Sequence, residues 1–152
     1  MELKMTKKIL FTIASLLCST QIFAQDISGM WRSVDDKTGA SKAILEIRKN
    51  KDETFTAKII QITPAPGYTP KETCVDCPAP YTNKPILGLD VLTGLKFDKG
   101  NQYKGGKILD PLSGKIYSMS AKLSANGKRL QMRGYVGVSV IGRSQTWIRS
   151  QQ

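Results

Sequence analysis

Histidine is absent from the 152 residues. That removes the commonest general base, the usual Ser-His and Cys-His pairs that activate a nucleophile, and the most frequent metal ligand outside thiolates. Acids run out after Asp110, while Lys115, Lys122, Lys128, Arg129, Arg133, Arg143 and Arg149 follow. A glycine-rich phosphate loop is missing as well. The stretch "GYVGVSVIG" (134–142) has spaced glycines but does not open a helix after a strand. Gly134, Gly137 and Gly142 therefore read as a bend and close strand contacts. The adjacent aspartates Asp35 and Asp36 sit in a turn, where Asp serves local backbone hydrogen bonding. With no catalytic constellation, neither an enzymatic activity nor a cofactor is expected.

The N-terminal "MELKMTKKILFTIASLLCSTQIFAQ" places Lys4, Lys7 and Lys8 before an apolar run from Ile9 to Leu17, and small and polar residues lead to Ala24. This is the pattern of a cleaved secretory signal over 1–24, and the run is too short for a membrane span. The alternative, a lipoprotein modified at Cys18, is disfavoured by Leu17, which stands where processing wants a small residue. The expected mature chain, 25–152, is a single domain with a periplasmic or secreted destination and no transmembrane segment. Residues 1–24 carry three of the 23 Lys and Arg and one of the 12 acids, so the remainder has a net charge of +9. These cations are spread along strand-like segments, as on a solvated sheet face. The sharper reading is attraction to an anionic envelope component, with Arg129 and Arg133 as candidates. Nucleic acid is not expected, since no reader motif is present.

Gly, Asn, Asp and Pro punctuate the chain at "DDKTG", "NKDE", "DKGN", "DPLSG" and "SANG", as hairpin turns require. Between them apolar residues alternate with period two. Tyr117, Met119, Ala121 and Leu123 share one face, and Leu130, Met132 and Val136 another. Phe55, Ala57 and Ile59 alternate until the phase jumps to Ile60 and Ile62, which predicts a bulge or bend. Strands are expected near 27–34, 40–49, 54–62, 86–95, 103–109, 115–123, 129–136 and 144–149. Eight hairpin-linked strands predict an all-β, up-and-down antiparallel barrel, whose closure removes exposed edges. A β-sandwich is the structural alternative.

One connection is long. Residues 63–85 hold six of the seven prolines, Tyr68, Tyr81, Cys74 and Cys77, and long loops in compact domains are usually functional or disordered. An ordered lid is expected. Zinc needs four ligands, and two thiols with no histidine do not supply them. Catalytic thiol exchange needs a low-pKa thiolate, usually at a helix N-terminus, whereas "CVDCPAP" is a proline-broken loop. In an oxidising compartment the pair reads as a Cys74–Cys77 disulfide, with exchange as an alternative.

The segments "SGMWRSVDDKTGASKAILEI", "CVDCPAPYTNKPILGLDVLTGLK" and "GGKILDPLSGKIYSMSAKLSANGKRLQMRGYVGVSVIGRSQTWIR" together resemble the bacterial exported-protein family called domain of unknown function 2147. The resemblance spans the mature chain and implies no activity. A second resemblance, to lipocalin and wider calycin barrels, rests on Gly29-Met30-Trp31 in the first strand and Arg149 in the last. It implies that Trp31 closes one barrel end beneath Arg149, a cation-π contact of about 1 to 2 kcal/mol. It also implies a small apolar or amphipathic ligand at the opposite mouth, under 63–85, with Tyr68, Tyr81, Phe55 and Met119 as candidate contacts. Unlike typical lipocalins the chain is short and lacks a clear C-terminal helix, and a small barrel can be filled by its own side chains.

Overall fold

A computed structural model describes residues 26–138 and 141–151. The expected signal segment 1–24, with Cys18, and part of the 134–142 glycine stretch lie outside them. Eight strands, β1 (Gly29–Val34), β2 (Ser41–Lys49), β3 (Thr54–Ile62), β4 (Asp90–Lys99), β5 (Gln102–Asp110), β6 (Lys115–Leu123), β7 (Arg129–Tyr135) and β8 (Gly142–Arg149), pair in chain order. β8 then pairs with β1, so the sheet is a closed barrel. Every pairing is antiparallel, and the connections therefore alternate between two ends. The turns 35–40 and 111–114, the long connection 63–89, the end of β7 at Tyr135 and the start of β8 at Gly142 share one end. The chain ends, 50–53, 100–101 and 124–128 share the other.

Alternation explains the core. Trp31, Phe55, Leu92, Leu95, Met119, Leu130 and Trp147 point inward, are fully buried and form one cluster. Burying such a side chain stabilises by about 1.5 to 3 kcal/mol, which makes this layer the main source of stability. The phase jump in β3 is a register shift: Ile44 faces Gln61 and Leu45 faces Ile59, leaving Ile60 unopposed and exposed.

Six strands differ from the sequence expectation, by one or two residues except at β4, where both ends shift by four. The apolar run Ile86–Leu89 is a turn closed on β3, where Gly88 N–H donates to Ile59 O at 2.7 Å with Gly88 in the left-handed region. β4 thus begins at Asp90. It runs on to Lys99 because Gly94, at φ +69°, is accommodated within the strand. Val136 falls outside β7 and is exposed.

The 63–85 connection is ordered. Cys74 N–H donates to Lys84 O, Asn83 N–H to Cys74 O, and Ile86 N–H to Glu72 O, at 2.9 to 3.0 Å. Cys74 and Cys77 form a disulfide with their Cα atoms 5.3 Å apart. Both sulfurs approach Pro111 O, at 3.8 and 3.9 Å, and Lys71 Nζ donates to Leu112 O. Leu109 alternates with the inward Gly106 and Ile108, so it faces outward, yet it is buried in the same cluster as Cys74, Cys77 and Ile86. The loop expected as a lid therefore packs on the barrel flank beside the β5–β6 turn. Gly114 makes this seat: a Cβ there would stand 2.0 Å from Asp76 O.

Candidate functional site

At the end holding the chain termini, Trp31 donates its Nε1–H to Ile27 O at 2.8 Å. The Arg149 guanidinium stacks over the indole, 4.3 Å from the ring centroid. Its three nitrogens donate to Gly127 O, Ser28 O and Asp26 O, each at 2.8 Å. One side chain thus ties the N-terminal segment, the β6–β7 turn and the indole together. Burial pulls the Arg149 pKa down, while Asp26 opposes that shift. Gly29 is required beside it, because its φ is +116° and a Cβ would lie 3.3 Å from Arg149 Nη1.

Next to this plug is a cup of about 610 Å3, walled by Phe55, Phe97 and Tyr103 and rimmed by Asp26, Lys49, Asp52, Glu53 and Lys96. Tyr103 meets Phe55 and Phe97 edge-on, with centroids 5.5 and 5.7 Å apart. Burial, aided by Asp26, pushes the Tyr103 phenol pKa up. Most polar groups here are already engaged. Lys49 is bonded to Glu53, which raises the lysine pKa. Asp52 accepts from Thr54, and Asn101 donates to Leu123 O.

The opposite mouth is built differently. A hollow of about 570 Å3 is lined by Asp110, Ser113, Lys115, Tyr117, Gly134, Val136, Ile141, Gly142 and Arg143, among others. Directly opposed residues of an antiparallel ladder share a face. Tyr117 faces Ile108 and Lys115 faces Asp110. Leu130, Met132 and Gly134 of β7 face Trp147, Gln145 and Arg143 of β8. Since Leu130 and Trp147 are buried inside, Gly134 and Arg143 continue the same inner face to the rim. A Cβ on Gly134 would lie 3.5 Å from Tyr117 Cβ, so the missing side chain is what hollows the mouth. Among the described residues, the side chains of Lys115, Tyr117 and Arg143 have no hydrogen-bond or ion-pair partner.

The four residues expected to contact a ligand are not brought together. Phe55 lines the cup, Met119 is sealed in the core, Tyr81 packs against the core from the loop, and Tyr68 is half-exposed on it. No residue of 63–85 lines either hollow, because the loop is seated on the flank. The sequence reading placed the late cations other than Arg149 on a solvated face. That holds for Lys122, Arg129 and Arg133, which alternate with inward Ala121, Leu130 and Met132. Lys115 and Arg143 are exposed as well, but at the rim of the inner face rather than on the outer one. The signal was available in "KIYSM", where Lys115 shares the face of Tyr117 and Met119.

The disulfide is sheltered, with Cys74 fully buried and Cys77 at 5% exposure. Among the described residues no group of three metal-ligating side chains is assembled, and no helix is long and apolar enough to cross a membrane.

Residues 29–149 match the family model described as an uncharacterized protein conserved in bacteria, DUF2147. The chain belongs to that family. Its barrel is similar to the solved structure of HP1028 from the human pathogen Helicobacter pylori, described as a member of the lipocalin family. The two are 23% identical, with 84% of each chain covered and a TM-score of 0.69. This is a likeness of fold. No curated protein matches the chain.

Proposed function

We propose that this DUF2147 protein is an exported, lipocalin-like binder of a small apolar or amphipathic molecule, held without catalysis at the barrel mouth opposite Trp31. The reading is carried by the contrast between the two barrel ends. Around Trp31 most polar groups are consumed by the protein itself, whereas Lys115, Tyr117 and Arg143 converge on a hollow with no side-chain partner among the described residues. Convergent polar groups in a partly apolar concavity are what small-molecule sites are made of. A periplasmic or secreted location fits the N-terminal segment and a disulfide that needs an oxidising compartment.

Native mass spectrometry of protein purified from its own cell envelope tests this. A small-molecule adduct is expected on the wild type and lost in Gly134→Val, which fills the hollow at a strand position with no left-handed backbone demand. An adduct undiminished by that substitution would move the site elsewhere. Repeated absence of any adduct, with no amide shift at Tyr117, Gly134 or Arg143 on adding amphiphiles, would end the proposal.

A second reading rests on the outer face of β6 and β7, where Lys122, Arg129 and Arg133 stand together. That face suits attachment to an anionic envelope component, and attachment should weaken as salt rises and on Arg129→Glu with Arg133→Glu. Salt-independent attachment refutes it.

A further inference from the structure

The two hollows differ in sign. The cup near Trp31 is lined by Asp26, Asp52 and Glu53 against Lys49 and Lys96, a net charge of −1. The mouth is lined by Lys115 and Arg143 against Asp110 alone, a net charge of +1. Asp110 is moreover committed to its own turn: its carboxylate accepts from Leu112 N–H at 3.0 Å and from Ser113 Oγ at 2.7 Å. It makes no ion pair with Lys115 among the described residues, although the two face each other across the ladder.

Apolar surface adjoins Lys115 and Arg143. Val136 and Ile141, 70% and 73% exposed, border the same hollow, with the Tyr117 ring inside it. Exposed aliphatic side chains gathered beside a concavity mark a contact surface. The guanidinium fork suits a planar or tetrahedral oxyanion, and the hollow left by Gly134 opens between that fork and the aromatic ring.

We infer that the mouth site takes an anionic amphiphile: a carboxylate or phosphomonoester headgroup held by Arg143 and Lys115, with its apolar chain lying over Tyr117 toward Val136 and Ile141. This rests on the proposed ligand-binding function and names the ligand class. Arg143 orients the headgroup and Lys115 adds charge. Gly134 provides the space.

The experiment compares three probes with the same twelve-carbon chain, dodecanoate, dodecyl phosphate and dodecanol, each kept below micelle formation. Binding is followed by amide and side-chain chemical shifts of the wild type, Arg143→Gln, Arg143→Lys and Lys115→Gln. Arg143 has no partner among the described residues, so its replacement leaves the barrel intact. The wild type is expected to bind both anions about tenfold more tightly than dodecanol, with shifts at Tyr117, Gly134 and Arg143. Arg143→Gln should erase that preference without changing dodecanol binding, and Arg143→Lys should retain part of it. The preference should shrink as ionic strength rises. Dodecanol binding this mouth as tightly as the anions would overturn the charge selection and leave the binding function standing. If no probe shifts the mouth residues, or all shift only Phe55, Phe97 and Tyr103, both fail.

Discussion

Gly114→Ala tests how the stapled loop is held. Gly114 has φ +70°, so alanine there pays for a left-handed backbone, about 1 to 2 kcal/mol. The reduced freedom of the unfolded chain returns about 0.4 to 1 kcal/mol, leaving a net cost of about 1 kcal/mol. The new Cβ also meets Asp76 O at 2.0 Å, Asp76 C at 2.5 Å and Cys77 N at 3.1 Å. These are backbone atoms of a disulfide-closed turn, which cannot swing aside as a flexible side chain would. The loop must lift, and Cys74 and Cys77 lose their packing beneath Pro111. Overpacking of that kind costs about 1 to 3 kcal/mol, for a total of about 2 to 4 kcal/mol. Gly100 supplies the internal control: it is also a hairpin glycine, at φ +56°, with nothing within 4 Å of its Cβ position. Gly100→Ala should therefore cost only the backbone part. Urea unfolding followed by Trp31 and Trp147 fluorescence gives both values, and the reduction rate of the disulfide by dithiothreitol reports release of the loop. Equal destabilisation by the two substitutions to within about 0.5 kcal/mol, with unchanged reduction, would show that the loop is not seated on Gly114.

Arg149→Lys keeps the charge but cannot span three carbonyls and stack on Trp31. It should destabilise by about 2 kcal/mol, discounted for partial exposure, and alter the near-ultraviolet circular dichroism of the tryptophans; wild-type values in both would deny the clamp. The pH dependence of stability has two edges and, without histidine, no step between them. Hydrogen bonds from Thr38 hold Asp35 below its usual pKa of 3.8, and those from Thr54 do the same for Asp52. Their contribution is present above 3.8 and lost as pH falls through the lowered values. Tyr103 and Lys49 are raised above 10.0 and 10.5. Their contribution is present below those values and lost as pH rises through the raised ones. Chemical denaturation across pH should therefore give a plateau between about 5 and 9, and an inflection near 6.5 would contradict this assignment.

The eight strands were legible because a half-buried strand writes its alternation directly into the chain. β3 even announced its bulge through the jump from Ile59 to Ile60. The Trp31 and Arg149 pair was legible by resemblance to a known barrel. Ile86–Leu89 misled because an apolar run reads as a strand until one knows that Gly88 turns the chain back onto Ile59. The position of the 63–85 loop was hidden for a different reason. It depends on Asp76 meeting Gly114, a contact between distant residues that no local pattern encodes. Lys115 and Arg143 were hidden by their chemistry. Alternation places them inside, but a cation at the rim of a barrel can reach solvent and is counted as surface until its strand partner is known.

Two glycines near each other in space do opposite work at the mouth. A Cβ on Gly142 would lie 2.4 Å from Gly134 O, so its absence lets β8 approach β7 at the rim. A Cβ on Gly134 would stand at ordinary contact distances, 3.5 Å from Tyr117 Cβ and 3.8 Å from Ile108 Cγ2, so a side chain would fit there sterically. Closeness of strands therefore explains Gly142 and leaves Gly134 unexplained. A residue that packing would allow to be larger, placed between Tyr117 and an arginine with no partner among the described residues, leaves space that the fold does not need. That surplus space is the physical ground for placing a ligand at this end of the barrel, and it makes Gly134→Val the substitution that separates the folding of this chain from its use.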